Sequence, residues 1–183
     1  EPSSTINQTI EIPGESKVYL RCNTSCWSDG GSQYNCIRQN DNATGFNVGG
    51  NILSLTYGSA FNGQTVFKNS TGDTYAHLFN YFTGLVSAEH LVIPCANNDS
   101  CYTQMFYGCT SLTVAPSLPA TTLAEDCYYF MFSRCTKLNK VTMLATDISA
   151  SYCLDGWLDG VSSTGTFIKS PEMDESSFKK GFD

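Results

Sequence analysis

Nine cysteines in a chain of 183 residues are the residues best placed to do chemistry, as nucleophiles, metal ligands or disulfides. The number is odd, so at least one thiol stays unpaired within the chain. Cys22, Cys26 and Cys36 crowd into "RCNTSCWSDGGSQYNC". A zinc site wants four ligands, usually at short spacing on both sides and often with a histidine. This stretch has three cysteines and no nearby histidine, which leaves one disulfide, an incomplete zinc site or three reduced thiols as its readings. Cys95 and Cys101 close the short loop "CANNDSC" and are a second candidate disulfide. A Cys-His nucleophile would need an activating context for the thiol. The two histidines, His77 and His90, supply none and read as a partly buried and a solvated residue. Asp155 and Asp159 stand four apart in "DGWLDG", a spacing most common on a solvated face. "NDNATG" lacks the alternating carboxylates of a calcium loop, and no phosphate-cradling glycine motif occurs. The expectation is a protein that is not an enzyme and takes no cofactor or metal.

The elements that position these residues come from a chain with 41% hydrophobic and 13% aromatic residues, enough for one domain or two small ones. A formal charge of -7 with only ten Lys and Arg argues against nucleic acid, whose phosphates demand a clustered basic surface. No apolar run approaches the ~18 residues that would cross a bilayer. The chain opens on Glu1 with no leader and reads as a trimmed or processed fragment, so a signal or lipid anchor could have been lost. Asn-x-Ser/Thr sequons at Asn7, Asn23, Asn42, Asn69 and Asn98 read as chance products of a polar surface.

The strongest pattern is internal. At an offset of 26, Cys101, Tyr102, Met105, Phe106, Cys109, Thr110 and Leu112 recur as Cys127, Tyr128, Met131, Phe132, Cys135, Thr136 and Leu138. A weaker copy follows through Cys153, Trp157, Leu158, Gly160 and Val161, and a worn one precedes it through Leu78, Phe79, Phe82 and Leu85. A period of 20 to 29 residues, with a short helix and a short strand per unit, is what a leucine-rich solenoid requires. Thr122 and Glu125 read as a capping box, and Leu123, Cys127, Phe130 and Met131 fall on one helical stripe. "SLTVAPSL" and "KLNKVTML" read as short strands, kept short by Pro116 and Pro119. Cys101, Cys127 and Cys153 then form one column, and Cys109 and Cys135 a second. Neighbouring helices would hold the first column too far apart for disulfides, so its thiols read as small buried hydrophobes.

"MFYGCTSL", "LPATTLAEDCYYFMF" and "WLDGVSSTGTFIKSP" resemble the BspA-like leucine-rich repeat proteins of bacterial surfaces, over roughly residues 49–171. The final "MDESSFKKGFD" departs from that family's usual closing strand. The resemblance implies an α/β, β-rich solenoid with a parallel strand ladder and short helices. It also implies a secreted or cell-surface module that adheres to protein or glycan ligands. A structural or assembly component of a larger fibre or virion is the alternative.

Upstream, "TINQTIEIPGESKVYLRC" reads as a hairpin and "GFNVGGNILSLTYG" as a second strand pair. The expected organisation is an antiparallel β-rich lead-in over 1–66, repeats over 67–171 and a tail over 172–183. Thr113, Ser117, Lys140 and Thr142 should lie on or beside the sheet, while Tyr102, Tyr107, Tyr128 and Tyr129 crowd the helical side. Tyrosine suits contact surfaces because it is rigid and amphipathic. Thr113, Ser117, Lys140, Thr142, Tyr107 and Tyr129 are therefore the candidate binding residues.

Overall fold

The computed structural model describes residues 17, 36, 37, 39, 44–65, 75–94 and 98–174. The expected hairpin between Thr5 and Cys22 lies outside them. Among the described residues the fold is α/β: a five-stranded, all-parallel sheet whose strands follow one another in chain order, with very little helix. The strands are β1 (Phe46–Asn51), β2 (Leu85–Val92), β3 (Val114–Leu118), β4 (Lys140–Met143) and β5 (Thr166–Lys169). The expected strand pair around Phe46 is a single strand, β1, which joins the sheet parallel to β2. It is followed by one helical turn, α1 (Ser54–Tyr57), and a 3-10 turn (Gly58–Phe61). The Asn51 side chain accepts the Leu53 amide at 2.9 Å, satisfying a donor at the entry to that turn.

The helices expected in the repeats are absent, and the sequence period explains why. Buried residues come in pairs every four positions: Cys101 and Tyr102, Met105 and Phe106, then Cys127 and Tyr128, Met131 and Phe132, then Cys153 and Leu154, Trp157 and Leu158. On an α-helix each successive pair would be rotated by ~40° from the one before, spreading the two pairs of a unit over ~140° of the circumference. A backbone that turns once every four residues keeps them all on one side. Left-handed residues recur at that interval: Ser100, Gln104 and Gly108; Asp126, Phe130 and Arg134; Tyr152, Gly156 and Gly160.

The amides then alternate between two duties. Within a unit they close tight turns, as Met105 N donates to Tyr102 O at 3.1 Å and Met131 N to Tyr128 O at 3.0 Å. The intervening amides donate to the next unit: Tyr102 to Cys127 O, Gln104 to Tyr129 O and Phe106 to Met131 O at 2.9–3.1 Å. Asp126, Tyr128, Phe130, Phe132 and Arg134 repeat the pattern onto Ser151, Cys153, Asp155, Trp157 and Asp159. The supposed capping box is part of this arrangement, since Thr122 bridges Asp147 and Leu123 N donates to Asp147 O. Between ladder and sheet, aromatic rings run in continuous columns. Tyr75, Tyr102 and Tyr128 stack at 6.1 Å, and Phe79, Phe106 and Phe132 at 5.3–5.4 Å, the second column continuing into Trp157 and Phe167. Each such contact is worth ~0.5–1.5 kcal/mol beyond its burial.

Candidate binding surface

The left-handed positions decide what the turn side of the molecule shows. At Gly108, with φ +73°, a Cβ would come within 2.7 Å of the Tyr81 ring, so only glycine leaves that ring room to lie over it. Tyr81 thereby meets Tyr107 edge-on at 5.3 Å, and the Arg134 guanidinium lies 5.5 Å from the Tyr107 ring centre. Desolvation, then the neighbouring Tyr81 hydroxyl, push the Tyr107 phenol up against the opposing pull of Arg134. One unit on, Gly156 leaves room for Phe130, which meets Tyr129 edge-on at 4.5 Å. Tyr81 and Tyr152 are half exposed or more, at 50% and 56%, which is unusual for side chains of this size. Tyr81, Tyr107 and Arg134 thus form one cluster and Tyr129 and Phe130 a separate pair, while Tyr152 stands exposed; together they are called the aromatic band of the turn side.

Tyr107 and Tyr129, expected at the surface, belong to this band and are half-buried. Tyr102 and Tyr128 do not: both are fully buried in the inner column, where the Tyr102 hydroxyl donates to Pro94 O at 3.1 Å. Tyr81 and Tyr152 were missed as surface candidates, because a helical period does not place them with Tyr107. The signal that would have found them is the four-residue spacing.

The sheet side is plainer. Val114, Lys140 and Thr166 share one row, and Ser117, Thr142 and Ile168 another. Ser117 and Lys140 are exposed and Thr142 half-buried, so these three reach the sheet surface together. Thr113 lies beside the sheet rather than in it, and its hydroxyl and amide both donate to Val86 O at 3.0 and 2.9 Å, leaving the hydroxyl committed inside the fold. His90 is an exposed strand residue opposite Gly49. His77 is half-buried with its Nδ1 3.1 Å from the Asn80 side-chain amide.

Cys22, Cys26 and Cys95 lie outside the described residues, so neither candidate disulfide is seen whole; Cys36 is an exposed free thiol and Cys101 is fully buried. Cys109, Cys127, Cys135 and Cys153 are buried free thiols. Cys109 Sγ donates to Phe79 O at 3.1 Å and Cys135 Sγ to Phe106 O at 3.0 Å, each tying its unit to the one before. Burial pushes the Cys135 and Cys127 thiols well up and that of Cys153 up to about 11, the opposite of what a nucleophile needs.

No group of three His, Cys, Asp or Glu side chains is arranged to hold a metal among the described residues. A cavity of about 170 Å³ lies between Asn139–Val141 and Val161–Thr166, below the ~300 Å³ at which small-molecule pockets begin. An open groove of about 330 Å³ beside Val92 and Pro119 has no titratable group in its lining. No helix of the described residues is long and apolar enough to cross a membrane. Compared with known proteins, the chain matches no family model, no curated protein and no solved structure.

Proposed function

We propose that this chain is a short solenoid of the BspA-like leucine-rich-repeat kind and works as a non-enzymatic recognition module. On this reading it is secreted or held at a cell surface, and it adheres to a protein or glycan ligand. The observation that carries the reading is the aromatic band: Tyr81 and Tyr152 exposed, Tyr107 flanked by Tyr81 and Arg134. Tyr and Arg are the residues most enriched where binding energy concentrates, and the pyranose face of a sugar or an apolar peptide side chain packs on an exposed phenol ring. The sheet row of Ser117, Lys140 and Thr142 offers a polar surface on the other side. The test is binding of the purified chain to a glycan array and to immobilised collagen, beside its Tyr81→Ala/Tyr152→Ala variant. Binding that weakens about tenfold or more in the variant supports the reading, in line with ~1–2 kcal/mol per lost anchor. No binding, or binding indifferent to the substitutions, overturns it.

A second reading takes the chain as an assembly component of a fibre or virion; among the described residues β5 is the last strand of the sheet order. Light scattering separates the two: a monomer favours recognition, a symmetric oligomer assembly.

A further inference from the structure

Tyr81, Gly108, Arg134 and Gly160 hold one position in four successive units of the turn ladder. The amides of the first three each donate to the next unit, to Tyr107 O, Ser133 O and Asp159 O at 2.7–2.9 Å. All four residues are left-handed, with φ between 56° and 73°. Large side chains and glycines alternate along this column, and each glycine leaves a step. At Gly108 the step is filled by the six-membered ring of Tyr81 from the preceding unit, and at Gly156, one ladder turn before Gly160, by that of Phe130. Gly160 is different. It is exposed, and among the described residues only the Arg134 N and Cα come within 4 Å of where its Cβ would stand, both at 3.8 Å. Arg134, which occupies the place of the covering ring, instead lays its guanidinium 5.5 Å from the centre of the Tyr107 ring. Arg134 is exposed and makes no ion pair with a carboxylate among the described residues. Contact with a ring face leaves the N–H donors at the guanidinium edge able to meet an anion.

We propose that the step at Gly160 seats the six-membered ring of an acidic sugar, whose carboxylate or sulfate accepts hydrogen bonds from the Arg134 guanidinium. The proposal rests on the reading of the chain as a recognition module and names its ligand class. The seat has the right size, because the steps at Gly108 and Gly156 each take one six-membered ring. The planar fork of Arg134, held against Tyr107, suits an acid group that offers two oxygens. The surroundings narrow the class further: Asp159 directly precedes Gly160 and Asp155 directly precedes Gly156, on a chain of net charge -7. A densely charged polyanion is repelled along its length there, whereas a sugar with one acid group can meet Arg134 alone. A peptide has less to hold. Apart from Tyr81 and Tyr152, the exposed large hydrophobic side chains among the described residues are Val92, Leu144 and Ile168, which lie on or next to strands. A pyranose needs only a ring-sized seat and hydrogen bonds, which Gly160 and Arg134 supply.

The test is a glycan array carrying sialylated, uronate-bearing and singly sulfated glycans, each beside its neutral counterpart, with heparin as polyanion and poly-glutamate as acidic peptide. The best glycan is then titrated calorimetrically against the full chain and its Arg134→Gln and Arg134→Lys variants. Glutamine fits that backbone, since Gln104 is itself left-handed at φ 52°, and thermal melting confirms that the variants stay folded. The acidic glycans should bind about tenfold or more tightly than their neutral counterparts, and the array arms show whether carboxylate or sulfate is taken. Arg134→Gln should weaken that binding by about tenfold or more, and Arg134→Lys by less, because it keeps the charge and loses the fork. Equal binding of neutral counterparts, affinity unchanged in Arg134→Gln, or capture of heparin or poly-glutamate alone overturns the proposal. Binding that falls in Tyr81→Ala/Tyr152→Ala but ignores both Arg134 and the acid group overturns it while the recognition reading stands. Absence of all binding overturns both.

Discussion

The strand side and the turn side of this molecule are built to different tolerances. Along the sheet, β2 and β3 are registered through one pair, Ser87 with Val114, and the β1–β2 and β3–β4 pairings both carry register shifts. Pro116 inside β3 has no amide to give, which accounts for the slip between Val114 and Ser117. Along the turn ladder every second amide donates to the next unit across two successive junctions, and the inner rings stack in step with it. The irregular side is the one with conventional secondary structure. Register between units is therefore held by the turns, and the strands follow.

The sharpest way to break this contrast is to remove a ring from the inner column. Phe106→Ala deletes a fully buried side chain stacked on both neighbours, and it should lower unfolding free energy by ~3–5 kcal/mol in denaturant titration. A loss under ~1 kcal/mol would mean that the columns do not organise the ladder. Next comes the backbone. Gly156→Ala places a Cβ against the Phe130 ring at φ +62° and should cost ~1–3 kcal/mol by the same titration. Gly50→Ala, left-handed in β1 but with open space around it, isolates the backbone share and should cost less.

A pH series sharpens the contrast from the side of the thiols. Burial raises Cys153 from 9.0 to about 11 in the folded chain, so the unfolded chain releases its proton first as pH rises. This contribution to stability is complete below pH ~9 and is lost on the way to ~11. Chemical denaturation at pH 8, 9.5 and 11 should show that decline, and Cys153→Ala should make it shallower, the share of Cys127 and Cys135 remaining. The smallest effect belongs to the sheet surface. Ser117→Ala, exposed beside the register slip, should shift stability by no more than ~0.5 kcal/mol.

Legibility in the sequence followed the same division. The 26-residue offset identified the repeated units, and "SLTVAPSL" and "KLNKVTML" contain the strands Val114–Leu118 and Lys140–Met143. The helix over Thr122–Arg134 was misread because Leu123, Cys127, Phe130 and Met131 satisfy a helical stripe while Tyr128 and Phe132, buried beside them, do not. Strict four-residue pairing is the better criterion, and Gly108, Gly156 and Gly160 at left-handed positions support it. Nothing local marks the non-glycine residues that share this conformation. Phe130 at φ 49° and Arg134 at φ 63° are held there by bonds to the neighbouring unit, a tertiary cause that no window of sequence contains. The surroundings of Tyr107 were illegible for the same reason, since the residues flanking it, Tyr81 and Arg134, come from other units.

The thiol columns have a consequence for where such a fold can be made. Cys109 and Cys135 join units through S–H donors to backbone carbonyls and not through shared sulfur bonds. These joints need no oxidant to form and offer no disulfide to a reductant, so they are indifferent to the redox poise of the compartment in which the chain folds.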